Sequence, residues 1–215
     1  MRRVGQLAIA SGIVGILATV VLIAFYILEA PQALAAGART SRLGAINDAM
    51  GGVQLMLLVP GAQMVRFTEE RRSRFLAIAG MAGLLGTTIV SELYAFGAMK
   101  AGDYFPAVAT GFGLIGIWIG AISLTGGRLG RLPPGLSRLG IAVGAGLLAI
   151  PAGAFLLGGL AMMAAPKLVL NNYPAIAFFL IGTLATVIGL PIWSIWLGRY
   201  LLLGESAVTR GDSYP

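Results

Sequence analysis

Val4–Leu28, VGQLAIASGIVGILATVVLIAFYIL, runs twenty-five residues without a charged side chain, and Arg2-Arg3 stand directly before it. About 20 apolar residues in a helix cover the hydrocarbon core of a bilayer, about 30 Å, so this stretch alone is long enough to cross. Five further stretches meet the same test: Gly44–Val65, Phe75–Met99, Phe105–Thr125, Leu136–Ala165 and Ala175–Leu203. The last two are longer than a perpendicular crossing needs, which predicts tilt or extension past the membrane. Of the 215 residues 58% are hydrophobic and 11% charged, with mean hydropathy +0.90. A soluble domain carries about 25% charged residues, so a soluble globular fold is excluded. The sequence predicts an all-α fold: a polytopic bundle of six transmembrane helices forming one domain over residues 1–203, then a short polar tail over 204–215. The start imitates a signal peptide, with Ala33-Leu34-Ala35 as a small-residue site. Its apolar run is too long for a signal core of about 7–15 residues, so it is expected to remain as the first span.

The connections between spans are short, and their charges set the expected orientation. Alternate loops place Arg2, Arg3, Arg66, Arg71, Arg72, Arg74, Arg128, Arg131, Arg138, Arg199 and Arg210 on one side, and only Arg39, Arg42, Lys100 and Lys167 on the other. By the positive-inside rule the first side is cytoplasmic. The expectation is a multi-pass protein of a bacterial inner or plasma membrane with both termini in the cytoplasm. Glu69, Glu70, Glu205 and Asp212 leave that side at +7, whereas Glu29, Asp48, Glu92 and Asp103 neutralise the other. The basic face is expected to meet anionic lipid headgroups. Nucleic acid is not an expected partner, since no binding module accompanies the arginines.

What the chain lacks narrows its chemistry. With no cysteine and no histidine there is no thiolate nucleophile, iron–sulfur ligand, histidine-held haem or histidine-held metal. Lys100 and Lys167 lie in connections, not at mid-bilayer where a retinal Schiff base would need a lysine. The adjacent Glu69-Glu70 pair, flanked by arginines, reads as a solvated loop and not as a magnesium site for a lipid-modifying enzyme. No catalytic constellation, metal or cofactor is expected, and the chain is read as a non-enzyme.

Glycine supplies 32 of the 215 residues. Small residues let helices approach closely where water gives no hydrophobic drive. Gly116 and Gly120 form one such pair, Gly140 and Gly144 another, and Gly80, Gly83 and Gly86 a third row. These faces pack either within the bundle or against another chain, possibilities the sequence does not separate. Pro60, Pro151 and Pro191 predict kinks within spans. Trp193, Trp196 and Tyr200 near one end of the last span, and Tyr26, Tyr94, Tyr104 and Tyr173 near the opposite ends, read as interfacial belts. Trp118 lies deeper and reads as packing.

Polar residues inside spans are costly and point to function. Two carboxylates qualify. Asp48 lies near the outer end of the second span. Glu92 lies seven residues before Met99, about 10 Å below the outer end of the third. Asn47 and Gln54 share a face, as do Thr88 and Glu92. Asn47, Asp48, Gln54, Thr88 and Glu92 therefore make a candidate ion, proton or polar pocket, with Arg39 and Arg42 as charge partners. The competing reading has Asp48 capping the second helix and Glu92 paired with Arg42 or protonated because a desolvated carboxylate is costly.

Ala45-Ile46-Asn47-Asp48-Ala49-Met50, followed by Gln54-Leu55-Met56-Leu57-Leu58-Val59-Pro60, resembles a group of bacterial multi-pass integral membrane proteins that share a domain of unknown function. Leu190-Pro191-Ile192-Trp193-Ser194-Ile195-Trp196-Leu197-Gly198-Arg199 resembles their closing span. Arg131-Leu132-Pro133 and Leu139-Gly140 extend the likeness over most of the chain. The resemblance implies the architecture and no activity. The leading expectation is an accessory or scaffold subunit that packs with a membrane partner or a second copy. The alternative is a small proton- or cation-coupled transporter, or an ion-binding protein, using Asp48 and Glu92.

Overall fold

The structure, a computed structural model, describes residues 2–30, 41–64, 70–157 and 173–209. It is helical, with no strand among the described residues. The helices are α1 (Arg2–Leu28), α2 (Arg42–Met64), α3 (Glu70–Ala95), α4 (Ala101–Arg128), α5 (Pro134–Leu157), α6 (Tyr173–Leu184) and α7 (Leu190–Thr209). A π-helical turn, Ala185–Gly189, joins α6 to α7 in one continuous rod. Six rods are long and apolar enough to cross a membrane, which makes the chain a multi-pass membrane protein by length and composition.

The rod boundaries follow from local chemistry. α2 begins at Arg42 because the Leu43 N–H donates to Glu29 Oε2 at 2.8 Å and the Gly44 N–H to Ser41 Oγ at 3.1 Å. These acceptors satisfy orphan amide groups of the first turn. α3 ends at Ala95, short of the expected Met99, because Gly97 adopts φ +73. The Gly97 N–H then reaches Tyr94 O and the Ala98 N–H reaches Leu93 O, the paired bonds that close a helix around a left-handed residue. Gly130, at φ +64, ends α4 with the same two bonds, from Gly130 N–H to Gly127 O and from Arg131 N–H to Gly126 O. α5 opens on Pro134, whose missing N–H costs nothing at a first helical position. α7 runs to Thr209 and so enters the polar stretch 204–215.

Each rod packs on its sequence neighbours, and α7 returns against α1, closing a ring of six. Small residues face inward. The buried side of α1 is Val4, Gly5, Ala8, Ser11, Gly12, Gly15 and Ala18, whereas Ile13, Ile16, Val20, Ile23 and Ile27 point outward. Large aliphatics outside and small residues inside suit a lipid solvent. α1 crosses α7 at Gly5 and Gly198, where a Cβ on Gly5 would meet the Gly198 carbonyl at 2.9 Å. α4 crosses α5 at Gly116, Gly120 and Gly144, where a Cβ on Gly144 would lie 2.7 Å from Gly116 O and Gly120 N. These glycine faces pack within the chain. Gly80 and Gly83 pack on Trp118 and Ile115 of α4, but Gly86 of the same row meets nothing within 4 Å.

Two aromatic expectations change. Trp193 is fully buried and sits edge-on to Trp118, ring centroids 6.1 Å apart. It is core, not belt, because it faces α4 and α5 across the ring. Tyr104 is also buried, stacked on Tyr94 at 4.0 Å. The half of the ring nearest the α2–α3 and α4–α5 connections is thus filled by Trp118, Trp193, Leu136, Leu147 and Leu197.

Candidate functional site

The other half of the ring is hollow. A cavity of about 280 Å³ lies between the rods near the α1–α2 and α3–α4 connections, and all six rods line it. α1 contributes Gly15, Thr19 and Tyr26, α2 contributes Asn47, Asp48, Gly51 and Gln54, and α3 contributes Ser91. α4 gives Tyr104, Val108 and Phe112, α5 gives Ile150, and the sixth rod gives Thr183, Thr186 and Val187. Among the described residues the lining holds one carboxylate, several hydroxyls and two side-chain amides, and no basic side chain.

Asp48 is the charged centre. α2 is already capped by Ser41 and Glu29, so Asp48 is not its cap. At six residues past Arg42 it sits about 9 Å into the helix. Asn47, Ser91 and Tyr104 line the cavity beside it. The Tyr104 hydroxyl stands 3.5 Å from Asp48 Oδ1, long for an O–H···O bond, so the carboxylate keeps acceptor capacity toward the cavity.

Gln54 lies deeper, near mid-span. Its side chain is 5% exposed, and Nε2 has no hydrogen-bond partner among the described residues. Gly15 of α1 makes room for that amide, since a Cβ there would be 2.6 Å from Nε2. Ser11 fixes the same helix pair by donating to the Gln54 carbonyl at 2.8 Å. A buried amide without a partner costs about 1–3 kcal/mol. Gly51, one turn nearer the capped end, lines the cavity with nothing within 4 Å of a Cβ built on it.

Of the five expected pocket residues, Asn47, Asp48 and Gln54 line the cavity together. Thr88 and Glu92 sit in the α2–α3 seam. Thr88 Oγ1 stands 2.8 Å from Leu84 O and 3.1 Å from Gly52 O and shares its one proton between them. Glu92 Oε1 rests on Gly52, 2.6 Å from where a Cβ would be. Because Gly97 ends α3 early, Glu92 lies three residues, about 4–5 Å, from the helix end, not about 10 Å below it. Arg42 is exposed at the start of α2, and Arg39 falls outside the described residues.

Sequence reasoning missed Tyr104, Ser91, Thr19, Thr183 and Thr186. A signal existed in part. Thr19 stands alone as a polar residue between Ser11 and Tyr26, and Thr183 and Thr186 interrupt an otherwise apolar rod. Weighing carboxylates alone passed over these hydroxyls. Tyr104 carried no such signal, because a tyrosine near a span end is ordinary.

Thr19 also repairs the backbone of the sixth rod. In an α-helix Val187 O would accept from residue 191, which is proline and has no N–H. Thr19 Oγ1 stands 2.9 Å from Val187 O and 2.9 Å from Gly15 O of its own helix, so its one proton is shared between the two carbonyls. The Leu190 N–H bonds Ala185 O, five residues back, so the π turn sits directly before Pro191 on the cavity wall. Such turns recur at functional sites.

No protein-family model, no curated protein and no solved structure matches this chain.

Proposed function

We propose that this chain binds a small cation or cationic solute in the axial cavity and carries it through the membrane, a binding and transport role and not a catalytic one. The observation that carries this reading is the cavity itself: a space reached by all six rods, holding the Asp48 carboxylate and a Gln54 amide that, among the described residues, has no partner, with no basic side chain among the described residues of its lining. A buried carboxylate with no positive partner among the described residues favours a cationic occupant. An accessory or scaffold role would draw on glycine faces that meet another chain. Gly5, Gly198, Gly116 and Gly144 meet one another inside the ring, which favours the binding reading. The arginine count supports both termini in the cytoplasm of a bacterial inner or plasma membrane. In that orientation the cavity occupies the outer half of the bilayer.

The test is thermal unfolding of the purified protein in nanodiscs, titrated with sodium, potassium, ammonium and methylammonium chloride at constant ionic strength. Saturation at about 100 times Kd stabilises by about 2.7 kcal/mol, a rise of about 5–10 °C for a chain of this size. At least one of these cations is expected to raise the wild-type midpoint. Asp48→Asn and Gly51→Leu, which remove the anchor and fill the space, are expected to abolish the rise. Glu92→Gln, in the neighbouring seam, is expected to keep it. No rise with any of the four, or an equal rise in Asp48→Asn, overturns the proposal.

A further inference from the structure

We propose that a groove beside Arg199, at the opposite end of the bundle from the cavity, is a discrete binding site for one anionic phospholipid. The groove measures about 510 Å³ and is formed by Ile192, Ile195, Trp196 and Arg199 of α7 with Pro133 of the α4–α5 connection. Residues 192, 195, 196 and 199 recur at three- and four-residue spacing and so form one stripe on the outer surface of the helix. This site shares no residue with the axial cavity and is independent of its function.

The groove is built, not incidental. The Trp196 ring lies over the start of α5 because Gly135 leaves room for it, a Cβ there being 2.7 Å from Cη2. The Tyr200 hydroxyl donates to Arg131 O at 2.6 Å, which holds the α4–α5 connection against α7. Arg199 is exposed and makes no ion pair or hydrogen bond among the described residues.

Depth and charge select the occupant. The span runs Ile176–Gly204, so Arg199 lies five residues, about 7–8 Å, inside its end. From there an arginine reaches phosphate depth with its stem along apolar surface. Ile192 and Ile195 lie further into the hydrocarbon, where an acyl chain would run, and Trp196 stands between the two zones. A guanidinium matches a phosphodiester through two parallel hydrogen bonds. The sequence puts eleven arginines against four carboxylates at this end, which favours a lipid of net negative charge over a zwitterionic one.

The protein supplies its own probe. Trp118 and Trp193 are 1% and 0% exposed, whereas Trp196 is 42% exposed, so bromine on a lipid chain quenches chiefly Trp196. The protein is reconstituted in phosphatidylcholine vesicles with a minor share of phosphatidylglycerol, bromine being carried by one lipid or the other. Wild type is expected to be quenched preferentially by brominated phosphatidylglycerol. Arg199→Gln is expected to weaken that preference about tenfold, the loss of a charge-assisted contact. Arg199→Lys is expected to retain part of it, and Arg138→Gln, exposed at the same end but outside the groove, all of it. Equal quenching by both lipids in wild type overturns the proposal. So does a preference that survives Arg199→Gln, or one that Arg138→Gln abolishes equally through diffuse charge. Persistence of the preference in excess inorganic phosphate is expected for a lipid site, and its displacement by phosphate overturns the assignment to lipid.

Discussion

At the scale of single residues, the cavity sets polar groups against the interests of the fold. Gln54 buries an amide whose Nε2 finds no partner among the described residues, and the neighbouring helix gives up a side chain at Gly15 to admit it. Leucine has nearly the volume of glutamine and no polar atom. Replacing an unsatisfied buried polar group by an apolar one of similar shape is neutral or stabilising. Gln54→Leu is therefore expected to hold or raise stability by about 1 kcal/mol in the absence of cations, because the Ser11 bond goes to the Gln54 backbone and survives. In the cation titration the same variant is expected to respond more weakly than wild type. Thermal unfolding with and without the effective cation measures both effects. A clear loss of stability without cation would assign Gln54 to the architecture instead. Asp48 and Tyr104 follow the same logic, since their 3.5 Å separation is too long to satisfy the carboxylate by itself.

At the scale of elements, the sixth rod shows how one proline is accommodated. Pro191 removes the α-helical donor to Val187 O, and Thr19 of α1 brings a hydroxyl within 2.9 Å of that oxygen, its one proton shared with Gly15 O. The bond ties the π turn to the cavity wall. Thr19→Val keeps the shape and deletes the donor, and is expected to cost about 1–2 kcal/mol. Pro191→Ala restores the N–H that Val187 O would accept in an α-helix, so Thr19→Val is expected to cost less in that background. A double-mutant cycle on unfolding free energies measures this coupling. Strict additivity of the two substitutions would mean that Thr19 does not stand in for the missing amide. Where the elements stop is equally local. Gly97 and Gly130 end α3 and α4 with the same pair of bonds, and the first of these sets Glu92 nearer the helix end than the sequence predicts.

At the scale of the whole molecule, the ring has a filled, arginine-bearing half and a hollow, carboxylate-bearing half. The proposed orientation turns the first toward the cytoplasm. The chain has no cysteine, so single-cysteine variants report topology without background. Lys100→Cys, between α3 and α4, is expected to react with a membrane-impermeant maleimide added to intact cells. Arg131→Cys, between α4 and α5, is expected to react only after permeabilisation, and the reverse pattern would invert the molecule. The six crossings, their order and the excess of arginine on alternate connections were legible in the sequence, because span length and loop charge are properties of contiguous residues. Asn47, Asp48 and Gln54 were legible as polar residues within one span. Sequence spacing did not separate them from Glu92, since that depended on which face of α3 packs against Gly52 of α2. Nor did it bring Tyr104, Thr19 and Thr186 to the same space, or turn Trp193 inward to Trp118. Composition and hydropathy determine that these rods enter a bilayer, where each helix satisfies its own backbone. Which faces meet, and where the ring is left hollow, depends on backbone approaches at Gly5, Gly116, Gly144 and Gly198 between rods far apart in the chain. Those approaches are settled by the fit of surfaces in three dimensions, and so only the tertiary structure decided the cavity.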